Sequence, residues 1–183
     1  MTATRQNEQA PPTINIPTLS GKGDETEFRD FMAELFAAAT TMQSLRRKAA
    51  RLFDLSSAEL AILLAVSALG NDKSIREIAN HLDISASNVT ADVARLVESS
   101  YLRKFPHPDD ARAINVALTS SGVKLVKALA PVLQHVNDTV FSELSREDML
   151  RCSRILKSMV GQARKIDSAG LGAFRKKASS RKT

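Results

Sequence analysis

The feature that most constrains this chain lies in residues 74–119, where two short helical patterns run into a β-hairpin pattern. The first pattern places apolar residues three and four positions apart, which is typical of a helix with one buried face. Asp83 and Ile84 interrupt this pattern, and Ser85 is a residue type that caps a following helix through its side-chain oxygen. The second pattern again has apolar inward positions, namely Val89, Val93, Leu96 and Val97. The stretch predicts a helix-turn-helix arrangement whose second helix covers about residues 85–98.

The outward positions of this second helix are small or polar, and most of them can form hydrogen bonds. An amide or a hydroxyl pairs with base edges in the major groove of DNA, and a small residue packs on the methyl group of thymine. We therefore predict that this helix contacts DNA. The predicted contact residues are Ser85, Ser87, Asn88, Thr90 and Arg95.

The hairpin pattern strengthens this interpretation. Residues 101–105 and 113–118 alternate partially between apolar and polar side chains, as short strands do. The connection between them contains two prolines and two aspartates, which favour a loop. A helix-turn-helix followed by such a hairpin is a winged helix, with the wing at about residues 103–116. Arg112 near the tip of this wing would reach a minor groove, where the negative electrostatic potential attracts arginine.

This part of the chain resembles the multiple antibiotic resistance regulator (MarR) family of bacterial transcription factors. The resemblance covers roughly residues 27–161 and is sharpest in the wing. The residues that carry it are Leu55-Ser56-Ser57-Ala58-Glu59, Ile75-Arg76-Glu77-Ile78-Ala79, Val89-Thr90 with Leu96, Pro108-Asp109-Asp110-Ala111-Arg112, and Val116-Ala117-Leu118-Thr119 with Gly122. Membership would imply an obligate dimer that binds a pseudo-palindromic DNA operator, usually as a repressor released by a small ligand. By position, Arg112 would be the wing-tip arginine and Asp110 the carboxylate that orients it.

Three residues depart from the family pattern. Ala111 stands where a basic residue is frequent, which removes one phosphate contact. Ser100 replaces the usual glycine before the first wing strand. Asp83 stands where a glycine is common, although aspartate tolerates a left-handed backbone better than most residues.

The net charge of +6 does not by itself argue for DNA binding. Residues 165–183 hold six Lys or Arg and one Asp, so most of the excess lies in a basic C-terminal tail. Residues 74–119 hold five basic and six acidic residues, so the predicted winged helix is slightly acidic. The tail either adds nonspecific phosphate contacts or simply keeps the protein in solution.

The rest of the chain predicts a mainly α fold around the α+β winged helix. Residues 1–23 are expected to form a flexible arm because prolines and glycines are frequent there. Long amphipathic helices are predicted in 24–53 and 120–164, on either side of a winged-helix domain at 54–119. Their apolar stripes need a partner, and a second copy of the chain supplies it in a two-fold dimer. The alternative is that these helices fold back on their own domain as ordinary core.

An effector site is the least specific prediction. The resemblance implies a crevice between the dimer-forming helices and the winged helix, and we predict Met42, Arg46 and Leu63 among its lining residues. Arg46 would pair with an anionic group, so the effector would be anionic or aromatic. Arg46-Arg47-Lys48 with Arg51 could equally flank DNA or form a plain surface patch.

Other function classes find little support in the sequence. We predict no enzyme activity and no cofactor, because no phosphate-binding glycine loop, nucleophile elbow or HExxH-type helix is present. The three histidines have no acid or cysteine at ligand spacing, so no metal site is predicted, and Cys152 is expected to pack within an apolar stripe. The chain has neither a secretory signal pattern nor a membrane-spanning run, which predicts a cytoplasmic protein. The alternative to a DNA-binding regulator is a winged-helix protein-interaction module.

Overall fold

The computed structural model describes residues 13–19, 25–107 and 113–169 of the chain. The elements are, in order, α1 (Thr26–Arg51), α2 (Ser57–Leu69), β1 (Lys73–Ser74), α3 (Ile75–Leu82), α4 (Ala86–Glu98), β2 (Leu102–Pro106), β3 (Ile114–Leu118), α5 (Ser120–Val140) and α6 (Arg146–Ala169). The mainly α fold with a winged helix-turn-helix is thereby confirmed. The chain divides into two compact units, one ending at Gln134 and the other beginning at His135.

The core of the first unit is built around α2. This helix is apolar on nearly all sides, as expected for a helix in the centre of a domain. It contacts α1, α3, α4 and β3. The fully buried side chains of this core include Leu60, Ile62, Leu63, Val66, Ile78, Val89, Val93, Leu96, Leu102, Val116 and Leu129. The inward positions predicted for α4 therefore lie in the core, Val97 being the one that is only half-buried.

The three strands form one antiparallel sheet in the order β1-β3-β2. In the wing, Leu102 pairs with Leu118 and Pro106 with Ile114, so both strands begin one residue later than predicted. The backbone explains the shift, because the Tyr101 N–H still donates to the carbonyl of Leu96 and so belongs to the end of α4. β1 was not predicted, since two residues are too few for any alternation to be visible.

Two of the departures from the family pattern occupy left-handed backbone. Asp83 has φ 56° and ends α3, and Ser100 has φ 61° in the turn between α4 and β2. Both therefore adopt the conformation for which glycine is the usual residue. The fold accommodates them without loss of the adjacent elements.

The beginning of α1 is tied to the segment before it. The Glu25 carboxylate accepts hydrogen bonds from the N–H groups of Thr13 and Ile14, at 2.9 Å and 3.2 Å. It also forms an ion pair with Arg29. Residues 13–19 belong to the predicted flexible arm, so this carboxylate attaches at least part of that arm to α1.

The second unit exposes an unusual amount of apolar surface. From Arg146 to Ile166, α6 has no buried residue. Its large exposed apolar side chains are Met149, Leu150, Ile155, Leu156, Val160 and Ile166. Cys152 is also exposed in the single chain, on the same apolar stripe in which it was expected to pack.

None of the helices within the described ranges is long and apolar enough to cross a membrane.

Candidate nucleic-acid interface

The helix-turn-helix is held together by side-chain caps. Ser74 and Glu77 form a capping box at the start of α3, with the Ser74 N–H donating to the Glu77 carboxylate at 2.9 Å. This hydrogen bond holds the pKa of Glu77 below its ordinary value. Ser85 caps α4 by accepting a hydrogen bond from the Asn88 N–H at 3.3 Å. These local bonds fix the angle at which α4 leaves the turn, because each joins a helix end to its first turn.

The outer face of α4 is exposed, as the sequence predicted. Ser85, Ser87, Asn88 and Thr90 all present their side chains to solvent. The Ser85 hydroxyl serves the cap and lies 3.0 Å from the Ser87 hydroxyl. The Thr90 hydroxyl donates to the Ala86 carbonyl at 2.8 Å, so it is already bonded within α4. The Asn88 side-chain amide forms no hydrogen bond with another residue of the described ranges.

Arg95 has a different environment from the other predicted contact residues. Its guanidinium donates to Glu59 of α2, with Nε 3.0 Å from Oε1, and forms a second ion pair with Asp92. Asp92 is buried, and the Arg95 side chain is 56% exposed. The hydrogen bond to Glu59 raises the pKa of Arg95. Arg95 thus anchors α4 to α2, a role that the local sequence does not indicate.

Glu59 connects this anchor to the cap of α2. It completes a capping box with Ser56, whose N–H donates to Oε2 at 2.7 Å, while Oε1 accepts from Arg95. Partial burial raises the pKa of Glu59, but the hydrogen bonds from Ser56 and Arg95 outweigh this and hold it below its ordinary value. One carboxylate therefore joins the N-terminus of α2 to the predicted recognition helix.

This arrangement predicts a pH-dependent stability. Since the pKa of Glu59 is lower in the folded than in the unfolded protein, ionised Glu59 stabilises the fold above its unfolded pKa of about 4.3. That contribution is lost as the pH falls through the lowered folded pKa. We expect Glu59→Gln to lower the melting temperature at pH 7 by about 2–4 °C, for a loss of about 1 kcal/mol. Differential scanning calorimetry should show the gap to the wild type narrowing as the pH falls below the unfolded pKa of Glu59.

Glu98→Gln is the matched control for this measurement. Glu98 is an exposed glutamate of α4, and its carboxylate forms no ion pair with a residue that the structure describes. Its replacement should leave the pH dependence of melting unchanged. A gap for Glu59→Gln that stays constant between pH 7 and pH 3 would contradict the linkage to ionisation.

The wing is described up to its base. The His107 N–H donates to the Ala113 carbonyl at 3.1 Å and closes the hairpin ladder. The predicted wing-tip residues Asp110 and Arg112 lie outside the described residues. Within β2, the Arg103 guanidinium stacks over the Phe105 ring at 4.9 Å, and Lys104 is exposed.

A cleft of about 470 Å³ separates the wing base from the helix-turn-helix. It is lined by residues from α3, α4 and the wing, including Arg76, Ala86, Thr90, His107 and Ile114. Arg76 is exposed and forms no ion pair with a described residue. Arg76 was not predicted as a candidate contact, although its place in the first turn of α3 could have suggested it.

The predicted effector residues do not share one cavity. Arg46 is exposed and lines a cleft of about 300 Å³, Met42 is half-buried in α1, and Leu63 is wholly buried in the core. Leu63 therefore presents no side-chain surface to that cleft, and its proposed lining role is corrected. The apolar periodicity of α2 could not distinguish a core position from a cavity wall. The described ranges also contain no cluster of His, Cys, Asp or Glu suited to a metal ion.

A capped helix-turn-helix, a polar outer face on its second helix and an adjoining hairpin define a winged helix-turn-helix protein. The model of the MarR family matches residues 53–113, which cover this element. This match covers one third of the chain, and over this element it confirms the resemblance to the MarR family that the sequence indicated.

Relatives and solved structures agree with this assignment. The chain is 35% identical over 85 residues to the HTH-type transcriptional regulator YpoP of Bacillus subtilis, a match that covers 46% of this chain and only 55% of YpoP. It is 29% identical over 117 residues to the HTH-type transcriptional regulator PecS of Dickeya dadantii, covering 62% and 67% of the two chains. The expectation that the chain is not an enzyme agrees with these relatives.

Among solved structures, Staphylococcus aureus MepR in its DNA-binding conformation superposes with a TM-score of 0.66 at 21% identity, over 73% of this chain and 98% of MepR. The complex of MepR with DNA superposes with a TM-score of 0.62 at 21% identity, over 70% and 93%. At this level of identity, the superpositions show a shared fold.

Proposed function

We propose that this protein is a homodimeric, ligand-responsive transcriptional repressor that binds a pseudo-palindromic operator. In this proposal α4 enters the major groove, and the wing at about residues 103–116 enters the adjacent minor groove. The observation that carries the proposal is the outer face of α4. There, the exposed side-chain amide of Asn88 is available for hydrogen bonds to a base edge. The helix that carries it is anchored to α2 by Arg95.

The predicted contacts take distinct roles. Asn88 and Ser87 would read base edges, and the Thr90 methyl would pack on a thymine. Arg76, Arg103 and Lys104 are exposed cations around the same surface and would contact phosphates. Ser85 would act mainly by capping α4, and Arg95 by anchoring α4 to α2. Asp110 and Arg112 keep the roles that the family resemblance implies, with Arg112 in the minor groove.

A homodimer accounts for the exposed apolar surface of α6. The second unit has an apolar groove of about 540 Å³. Its lining includes Phe141, Leu144, Met149, Leu156 and Val160. Covering such a groove with the same surface of a second copy removes apolar area from water. A two-fold dimer would place two α4 helices about 34 Å apart, which matches one turn of DNA.

The response to a ligand would follow from linkage. An effector that binds one separation of the two α4 helices better than the other shifts operator affinity by that difference. Arg46 gives such an effector a candidate cationic contact. The DNA complex of MepR, which shares the fold, supports the operator part of this proposal.

A gel-shift titration tests the proposed function directly. Purified protein is titrated on the intergenic DNA upstream of its own gene, at several salt concentrations and against random competitor DNA. Saturable binding that resists competitor and weakens steeply with salt is expected for an operator-binding dimer. Weak binding that competitor removes would instead favour the protein-interaction module, with the basic tail supplying the residual affinity.

Asn88→Ala is expected to weaken operator binding by about 1–3 kcal/mol, because it removes a bidentate contact to a base edge. The same titration with the native operator measures this loss. Asn137→Ala is the control, since Asn137 is an exposed asparagine of α5 outside the winged helix. Equal operator affinity of the wild type and Asn88→Ala would remove Asn88 from base recognition.

A further inference from the structure

The proposed DNA-binding surface has few free cations of its own. Residues 74–119 hold five basic and six acidic residues. One of the five, Arg95, is already paired with Glu59 and Asp92. Contacts to phosphates supply a large share of the affinity of proteins for DNA, and lysine and arginine are the side chains that neutralise these phosphates. A surface of this kind therefore gains affinity from cations that another element brings beside it.

The C-terminal end of α1 carries such cations. Its basic end consists of Arg46, Arg47, Lys48 and Arg51, and all four side chains are exposed. None of them forms an ion pair with a residue of the described ranges. Arg47 and Arg51 lie one turn apart on the same side of the helix, where like charges destabilise it. Unpaired like charges at this spacing favour an external polyanion as their partner.

The fold brings the basic end of α1 to the start of α4. Arg47 lines a cleft together with Leu82 and Ile84, which belong to the end of α3 and to the turn after it. Ile84 immediately precedes Ser85, the residue that caps α4. Asn88, whose amide is proposed to read a base edge, lies about one helical turn beyond this cap. Arg47 is therefore beside the end of α4 that carries the proposed base contacts.

Another exposed cation lies at the opposite end of α3. Arg76 is in the first turn of α3 and lines the cleft beside the wing. Leu82 is the last residue of α3 and lines the cleft beside Arg47. With a rise of about 1.5 Å per residue, the ends of α3 at Ile75 and Leu82 are about 10 Å apart. The major groove of DNA is about 12 Å wide, so cations at the two ends of α3 are spaced to reach the phosphates on its two edges.

We infer that the basic end of α1 binds backbone phosphates of the operator, on the side of α4 away from the wing. Arg47 is its central contact, and Arg51 extends the contact along the same side of α1. Arg76 holds the opposite edge of the major groove. Because phosphate contacts carry no base information, this surface sets the affinity and the position of α4, and leaves its sequence preference unchanged. The inference rests on the proposed function, since it requires DNA in contact with α4.

The salt dependence of DNA binding tests this surface. Arg47→Gln and the double variant Arg47→Gln/Arg51→Gln are titrated on the upstream intergenic DNA at several salt concentrations. Each phosphate contact contributes about 0.9 to the slope of log affinity against log salt concentration, so losing Arg47 from both protomers of a dimer should reduce the slope by about 2. At about 100 mM salt, operator affinity should fall at least tenfold. Arg154→Gln removes an exposed arginine of α6 and should leave both the slope and the affinity unchanged.

Random DNA and ethylated DNA separate a phosphate contact from a base contact and locate it. Arg47→Gln should weaken binding to the operator and to random DNA by the same factor, whereas Asn88→Ala should weaken binding to the operator alone. Ethylation of a contacted phosphate interferes with wild-type binding. This interference should disappear at one edge of the major groove in Arg47→Gln and at the other edge in Arg76→Gln. Circular dichroism of each variant shows that its fold is intact.

The outcomes distinguish this inference from the proposed function. If the wild type binds the operator and both variants keep its slope and affinity, the basic end of α1 is rejected and the regulator is kept. A loss confined to the operator with an unchanged slope would likewise reject phosphate binding by Arg47. Interference lost at the same phosphates in Arg47→Gln and Arg76→Gln would overturn the placement away from the wing. A wild type without competitor-resistant binding would reject the regulator, and the slope on random DNA would still decide whether Arg47 binds phosphates.

Discussion

Leu156→Asp is expected to convert the proposed dimer into a monomer and to lower its operator affinity by about 100-fold or more. Leu156 is an exposed apolar residue in the groove of α6. A carboxylate there would have to lose its water among the apolar side chains that line the groove of the proposed dimer interface. Operator affinity falls when the dimer is lost, because two linked winged-helix domains bind DNA far more tightly than one.

Multi-angle light scattering and the operator titration measure these two effects on the same samples. Ser158→Asp introduces the same charge two residues further along α6, at an exposed position outside the lining of the groove. It should remain dimeric and bind the operator normally. A Leu156→Asp variant that stays dimeric would place the dimer interface elsewhere on the chain.

Gly122→Ala is expected to destabilise the fold by about 3 kcal/mol, which corresponds to a loss of roughly 6–12 °C in melting temperature. A β-carbon at Gly122 would overlap the carbonyl oxygen of Tyr101 and press on the Leu118 side chain. The same carbonyl accepts hydrogen bonds from the Thr119 N–H and hydroxyl, at 3.0 Å and 3.2 Å. It therefore cannot move away without loosening the junction between the wing and α5.

Thermal melting followed by circular dichroism checks this prediction. Ser121→Ala alters the preceding, exposed residue of the same helical turn and should change stability by no more than about 0.5 kcal/mol. Equal melting temperatures for Gly122→Ala and the wild type would show that the junction can relax, and that the close approach is not a constraint.

Most of the winged helix could be predicted from the sequence because its signals are local. The break at Asp83 and the Ser85 cap are both present as expected. Both depend on residue types a few positions apart, which interact whatever the rest of the chain does. The outward side of α4 was also predictable, since the buried positions of a helix define the exposed ones.

The candidate site was only partly predictable. Ser87 and Asn88 were predicted to be exposed and are exposed. Arg95 was predicted from the same outward face, yet its guanidinium pairs with Glu59, which lies 36 residues earlier in the sequence. Leu63 was predicted to line a crevice and is instead in the core. In each case the deciding contact comes from an element far away along the chain.

The amino-acid sequence by itself determined the order of the helices, the turn and wing, the resemblance to the MarR family and the polar face of α4. These features depend on apolar periodicity, capping residues and turn chemistry, which act over a few residues. Only the tertiary structure decided that Arg95 anchors α4 to Glu59, that Arg46, Arg47 and Ser57 share a cleft, and that the stripe of α6 is exposed. Those outcomes depend on which surfaces pack together, and the spacing of residues within one helix does not contain that information.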